Sequence, residues 1–337
     1  MDIKTLLSPS PAPRWAVHLP KAHLHVHLGG ACPAWLWDHI APDTPAKFSG
    51  DCRRDGFSPF DQHHHMVSET VKTRTSAHQL IRAIAWQAQS EGTRWVELQI
   101  NPDKWADWAD MDSLIDACAP RSHGTAVGIG IVILASRDQP THALRLARTA
   151  TQTPGVVGFG IAGDELANPI DRYADALRVA AAGGLKLVPH AGELTADTYD
   201  IETAVQLGVH RLAHGLSAAT DPGLMDVLRT QGVCLDVAVA SNWSMATVDR
   251  SSPHPLVSLV DAGVPCSINS DNPLLVGHDL AAEYELVRDA LDVDVVAMAR
   301  FAADSFIHSA APDSIKSRAL ADIAAWVAKR QHAYVSA

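Results

Sequence analysis

The feature that most constrains this chain is a hydrophobic period that keeps switching. Short apolar runs of strand length alternate with longer amphipathic stretches along most of its 337 residues. The first run, Lys21 to Leu28, is followed by strand patterns over 95–100, 126–135, 156–161, 185–190, 210–213, 233–237 and 265–269. Helical spacing falls between them, over 141–150, 171–182, 198–207, 223–231 and 256–262. The run over 126–135 carries Val127, Ile129, Ile131, Val132 and Ile133, the near-continuous apolar pattern of a strand buried on both faces. Eight strands, each followed by helix with right-handed crossovers, predict a (β/α)8 TIM barrel. Extra helices are expected between strands 1 and 2, where 68–90 has helical spacing, and at the carboxyl end over 278–328. No boundary, repeat or low-complexity tract divides the chain, so 1–337 reads as one barrel domain with 1–18 a poorly ordered lead-in. A doubly wound sheet is the rival, but the phosphate-binding glycine fingerprint that supports it is missing.

A barrel gathers its chemistry at the carboxyl ends of its strands. Strand 1 ends in His25-Val-His27 with Gly29-Gly30 behind it, and alternation puts His23 on the same face as His25 and His27. Strand 5 ends in His190-Ala-Gly-Glu193, strand 6 in His214-Gly215 and strand 8 in Asn269-Ser-Asp271-Asn272. A lone histidine is usually a satisfied core residue; four such strand ends meeting on one rim point to a metal site. Three imidazoles and one carboxylate suit zinc with an open position for water, so His25, His27, His190 and Asp271 are the expected ligands of one Zn2+. Glu193, three residues past a ligand in a glycine turn, is placed as general acid and base; a carboxylate complementing a helix dipole is the bland alternative. For His214 the readings are a fifth ligand, a base that orients the nucleophilic water, or a structural role, with the second preferred.

Composition narrows the partners. The net charge is −11, which disfavours nucleic acid, and the hydrophobic content of 47% supplies a large core. No apolar run is long enough to span a bilayer, and the amino terminus lacks the apolar core of a signal peptide. Five scattered cysteines with no Cys-x-x-Cys pair fit reduced thiols in a cytoplasm. The expected partner is a small molecule, with no membrane.

Taken in order, these motifs resemble the adenosine deaminase family over nearly the whole chain. The matching pieces are Pro20-Lys21-Ala22 to His25-Val-His27-Leu28, Val96-Glu97-Leu98 with Asn101-Pro102, Ala162-Gly163-Asp164-Glu165, His190-Ala-Gly-Glu193, His214-Gly215, Ser241-Asn242 and Ser270-Asp271. The resemblance implies a barrel with one catalytic zinc on His25, His27, His190 and Asp271. It implies Glu193 as proton donor to a ring nitrogen, His214 beside the attacking water, and the Gly163 backbone amide against the substrate ring. The implied reaction is hydrolytic deamination of an adenosine-like 6-aminopurine, base or nucleoside. A different amino-heterocycle, or another mononuclear zinc hydrolysis on the same barrel, is the alternative. A non-catalytic binding protein that kept the fold is the least favoured reading.

Departures concentrate in recognition. Gly29 stands where the family has an acidic residue that, in adenosine-specific members, holds a ribose hydroxyl. Asn272 replaces a second aspartate expected to face the purine imidazole edge, and an amide both donates and accepts. His23 replaces a glutamate, Gly160 an aspartate, and Ala238-Val239 a Cys-Pro pair. Plain adenosine is therefore expected to be a poor substrate. Phe57 and Phe60, beside His63-His64-His65, are expected to line a substrate entrance, since three consecutive imidazoles cannot share one helix face. Of the nine tryptophans, Trp243 is the one expected to reach substrate, the rest packing the core; Asp164 and Glu165 are expected in a structural ion pair.

Overall fold

The computed structural model describes residues 15–105 and 111–335. Its strands are β1 (Lys21–His27), β2 (Thr93–Ile100), β3 (Gly128–Ser136), β4 (Val156–Ala162), β5 (Lys186–Leu187), β6 (His190–Ala191), β7 (Arg211–His214), β8 (Cys234–Val237) and β9 (Cys266–Ile268). All pair in parallel, in the order β1-β2-β3-β4-β5 and β6-β7-β8-β9. The expected strand over 185–190 is thus two pieces. Pro189 lies in the gap and has no N–H for a ladder, yet its carbonyl accepts from Ala213 N at 3.0 Å while Val188 N donates to Phe159 O at 3.0 Å. β5 and β6 are one stave of the barrel.

The other seam closes through the continuation of β9. Asp271 bridges Val26, with His27 N donating to Asp271 O at 2.9 Å and Asp271 N to His25 O at 3.1 Å. Eight staves therefore form the (β/α)8 barrel. Helices Pro140–Gln152, Ala174–Ala182, Tyr199–Gln206, Pro222–Gln231 and Pro255–Asp261 follow the expected alternation. The single helix expected over 68–90 is instead α1 (Ser58–Arg74) and α2 (Ala77–Ser90). Ser76 begins α2 with a capping box, its side chain accepting from Gln79 N while Gln79 accepts from Ser76 N. That box requires extended backbone at Ser76, which is where the continuous helix breaks. The carboxyl-terminal helices are Leu280–Leu291, Val295–Ile307 and Asp313–Val335. At the other end Trp15–His18 is a 3-10 turn with Ala16 buried, so order begins before residue 19; residues 1–14 of the expected lead-in lie outside the described residues. Among the described residues no helix is long and apolar enough to cross a membrane.

One strand departs from simple alternation, and the site depends on it. His23 pairs with Val96 and Val26 with Leu98, so β1 spends three residue steps where β2 spends two. This is a β-bulge. The amides of Leu24 and His25 both donate to Asn269 Oδ1, at 2.7 and 3.0 Å. The bulge shifts the phase of the strand: His25 and His27 face the barrel's interior, whereas His23 turns outward with Val26. The expected common face for His23, His25 and His27 is corrected accordingly.

Inside the barrel, Val132, Leu134 and Val188 form an apolar layer. Deeper still, fully buried Arg211 holds Glu97 at 2.6 Å and Asp236 at 2.8 Å. Ser267 Oγ donates to the other Asp236 oxygen at 2.7 Å.

Candidate active site

Four strand ends converge on one point. His25 and His27 come from β1, His190 from β6, His214 from β7, and Asp271 from the turn after β9. Ring nitrogens of His25, His27 and His190 lie within 4.8 Å of one another, as do ligand atoms of His25, His214 and Asp271. Asp271 Oδ1 is 3.3 Å from His25 Nε2 and 3.1 Å from His27 Nε2. The Nε2 atoms of His27 and His190 are 3.2 Å apart.

The backbone fixes two of these imidazoles in the form a metal requires. His25 Nδ1 lies 3.3 Å from Asp236 O, and His190 Nδ1 lies 3.0 Å from Ile161 O. A carbonyl can only accept, so each Nδ1 carries the proton and each Nε2 presents a lone pair to the centre. Burial, and then the neighbouring His25, His27 and His214, keep His190 far below the ordinary histidine range. Burial opposes ionisation of Asp271, but contacts with His25 and His27 win and hold it well below the usual carboxylate range. Its second oxygen accepts from Ser241 Oγ at 2.6 Å, which orients the carboxylate. Burial opposes a charge on His25, but Asp271 outweighs it and raises that imidazole above its ordinary range, so a proton stands there in competition with a metal. Imidazole nitrogens and one ionised carboxylate, aimed at one point, are the donor set of a divalent metal.

Glu193 and His214 stand beside this cluster, Glu193 Oε1 lying 3.4 Å from His214 Nε2. Burial, then the negative charges of Asp271 and Glu165, raise the Glu193 carboxyl well above its usual range. Burial and the charge of His25 push His214 down to about 3. Both shifts favour the uncharged form: the Glu193 carboxyl holds its proton to higher pH than usual, and the His214 imidazole is neutral at pH 7. The turn that aims Glu193 is built from both sides. Gly192 takes φ +68°, and a Cβ there would meet Ile201 Cδ1 at 2.6 Å and Ser217 Oγ at 2.7 Å. From β4's loop, the buried Glu165 carboxylate accepts from Gly192 N at 2.8 Å, Thr195 N at 3.0 Å and Leu194 N. Glu165 thus clamps backbone rather than forming the expected ion pair, and Asp164 caps Leu166 N and Ala167 N of its own turn. Among the described residues four other than glycine have positive φ, and two of them are in the site, His214 at 70° and Asp271 at 56°.

A cavity of about 320 Å³ opens over Glu193, His190, His214 and Asp271. Gly163, Asn272 and Phe60 line it, as expected for substrate-facing residues, together with Phe57. The histidine run points three ways. His63 Nε2 contacts Ala46 O at 2.7 Å, His64 stacks on Phe60 and lines the cavity, and His65 is exposed. Trp243 instead packs on His254 and Arg250 outside this cavity, and among the described residues the tryptophan that lines it is Trp105. Sequence reasoning also missed Gln99, buried in the cavity wall on β2. A polar side chain sharing strand parity with Glu97 and Asn101 was its available signal.

Residues 20–326 match the model of the adenosine deaminase family. The chain belongs to that family. As an adenosine deaminase family member it is a metal-dependent aminohydrolase. It is 31% identical to a putative adenosine/adenine deaminase of Streptomyces virginiae, over 92% of this chain and 97% of that protein. It is also 31% identical to an aminodeoxyfutalosine deaminase of Streptomyces avermitilis, over 92% and 93% of the two chains. The fold is shared with an amidohydrolase from Burkholderia ambifaria solved with bound Zn, at TM-score 0.80 and 21% identity, covering 98% of this chain and 97% of that one.

Proposed function

We propose that this chain is one barrel domain that deaminates a 6-aminopurine at a single zinc held by His25, His27, His190 and Asp271. The observation that carries the reading is the convergence of ligand nitrogens of His25, His27 and His190 with Asp271, beside Glu193 and His214, in one cavity. The names of the relatives, adenosine/adenine and aminodeoxyfutalosine deaminase, support an aminopurine-like substrate. The zinc-bound barrel of the same fold supports the choice of metal.

When bound, zinc supplies the charge that makes a water acidic enough to attack at neutral pH. The protein's groups do the rest. Glu193 donates its proton to N1 of the ring, so that electron density from the attacked C6 has somewhere to go. His214, uncharged, holds the attacking water by hydrogen bond, and the Asp271 carboxylate takes up its proton. The C6–N bond then breaks, ammonia leaves with that proton, the proton of the C6 hydroxyl returns to Glu193, and the ring keeps a carbonyl oxygen at C6. Asn272 faces the imidazole side of the ring and Gly163's backbone lies against it, while Phe57 and Phe60 exclude water at the mouth. The test is ammonia release from a panel of aminopurines and amino-heterocycles by protein whose zinc content is measured. About one zinc per chain and stoichiometric ammonia are expected; a metal-loaded protein releasing none would remove the reading.

A further inference from the structure

One pocket on the barrel's flank has polar groups with nothing to bind. Beyond β8 come the short helix Val239–Ser244 and, after His254, the helix Pro255–Asp261. Between this stretch and helix Leu280–Leu291 lies a cavity of about 360 Å³, lined by Trp243, Arg250, Ser252, His254, Leu286 and Leu291 among others. None of the described residues lining it also lines the candidate active site.

Its polar groups are donors without acceptors. His254 caps helix Pro255–Asp261, its Nδ1 accepting from Leu256 N at 3.1 Å, so the ring proton stands on Nε2. The imidazole is 1% exposed, and burial lowers its pKa to about 4 and keeps it neutral. Its Nε2 has no hydrogen-bond partner among the described residues, and neither has the buried Nε1 of Trp243. The two rings meet edge to face, centroids 5.8 Å apart and planes at 86°, a contact that can engage one N–H at most. Arg250 lies over the Trp243 ring, 5.2 Å from its centroid, and has no ion pair among the described residues.

A buried N–H left unmatched is costly, and here no described lining residue is acidic. Two aromatic N–H groups, a guanidinium and the Ser252 hydroxyl suit an anion, and one cation suits a single negative charge. A guanidinium fork pairs a planar carboxylate through two parallel bonds. The opposite wall, Leu286, Ala290 and Leu291, is apolar, which suits a carboxylate carried on a hydrophobic group and gives phosphate nothing.

We propose that Trp243, Arg250 and His254 form a binding site for a small organic carboxylate, which accepts from their N–H groups and lays its hydrophobic part on Leu286, Ala290 and Leu291. The test is an NMR titration of the isotopically labelled, zinc-loaded full chain with benzoate, read at the indole N–H signal that disappears in Trp243→Phe. Benzoate should move that signal downfield and saturably as the N–H gains an acceptor. The Trp105 indole, in the inner cavity, reports separately on benzoate at the metal. Benzyl alcohol, which lacks the charge, and inorganic phosphate, which lacks the apolar part, should each bind at least about 10-fold more weakly. Arg250→Gln, at an exposed position, should weaken benzoate about 10-fold or more. His254→Asn keeps an acceptor for Leu256 N while removing Nε2–H, and should weaken it about 3- to 10-fold. No saturable shift at Trp243 would overturn the assignment, and so would undiminished benzoate affinity in both variants. Phosphate binding as tightly as benzoate would overturn the class of ligand, leaving a simple oxyanion in its place.

Discussion

Two cavities flank β1, and the larger one is not the candidate active site. The outer cavity, about 610 Å³, is lined by His23, Val26, Trp35, Lys47, Glu91 and Asp279 among others. The inner, about 320 Å³, holds His27, His190, Glu193, His214 and Asp271. Both have a histidine of the same strand, both have carboxylates, and they differ in where their polar groups point. His23 is used up: its Nε2 accepts from Ser270 N at 3.2 Å and lies 3.0 Å from Ser270 Oγ. On the inner side, Nδ1 atoms are tied to carbonyls and the Nε2 lone pairs are left aimed at one centre. Convergence of ligand atoms on one centre, not volume, makes a site.

The most severe way to break that contrast is to remove an inner imidazole. His190→Ala and His25→Ala should lose zinc, measured by plasma mass spectrometry, and all measurable ammonia release. Full zinc occupancy in either variant would strike that residue from the ligand set.

Next in size is Glu193→Gln, expected to keep zinc while kcat falls by about 10³-fold or more, because an amide cannot deliver a proton. The pH profile carries the same sign. The raised carboxyl must be protonated to act, so kcat/KM should fall as pH rises through its raised pKa, and that limb should be absent from the residual activity of Glu193→Gln. Turnover near that of the parent would place the acid elsewhere.

A smaller loss tests the clamp. Glu165→Gln leaves only one acceptor oxygen for three backbone amides, so the turn should slacken and kcat fall about 10- to 100-fold with zinc retained, as for a misplaced catalytic group. An unchanged kcat would mean that Gly192's conformation alone positions Glu193.

The smallest effect belongs to the outer cavity. His23→Gln preserves an acceptor for Ser270 N and should change kcat/KM by less than about threefold, consistent with a group whose role is a hydrogen bond worth about 1 kcal/mol. Burial and the charge of His25 lower the His23 pKa to about 3. The unfolded histidine takes a proton below about 6.5 that the folded one refuses until far lower pH. Its contribution is therefore present at neutral pH and lost as pH falls, and the glutamine variant should show a shallower decline of Tm across that range. A large loss of activity at pH 7 would blur the distinction between the two cavities.

How much of this was legible in the sequence follows from the range of the interactions. The staves announce themselves through local period, and the inner histidines through their position at strand ends. The bulge does not, because the acceptor that makes it, Asn269, stands 245 residues from Leu24. Without it, alternation puts His23 on the wrong side. The break between α1 and α2 was written locally, in the capping box of Ser76 and Gln79, and apolar spacing alone overlooked it. Gly29 is visible as a departure, but that Ser68 occupies its side-chain space is a tertiary fact. Trp243 and Trp105 look alike in sequence; only the path of the chain after β8 and after β2 separates them.

The left-handed backbone at His214 and Asp271 bears on how such a protein drifts. A side chain in that conformation carries a steric cost of about 1–3 kcal/mol that glycine escapes. A population selected only for heat tolerance would find glycine at 214 an accessible substitution, one that relaxes the chain while erasing the imidazole beside Glu193. Persistence of histidine in a hard-to-hold conformation is then a record of turnover under selection, and a thermostability screen run without an activity readout would be expected to lose it early.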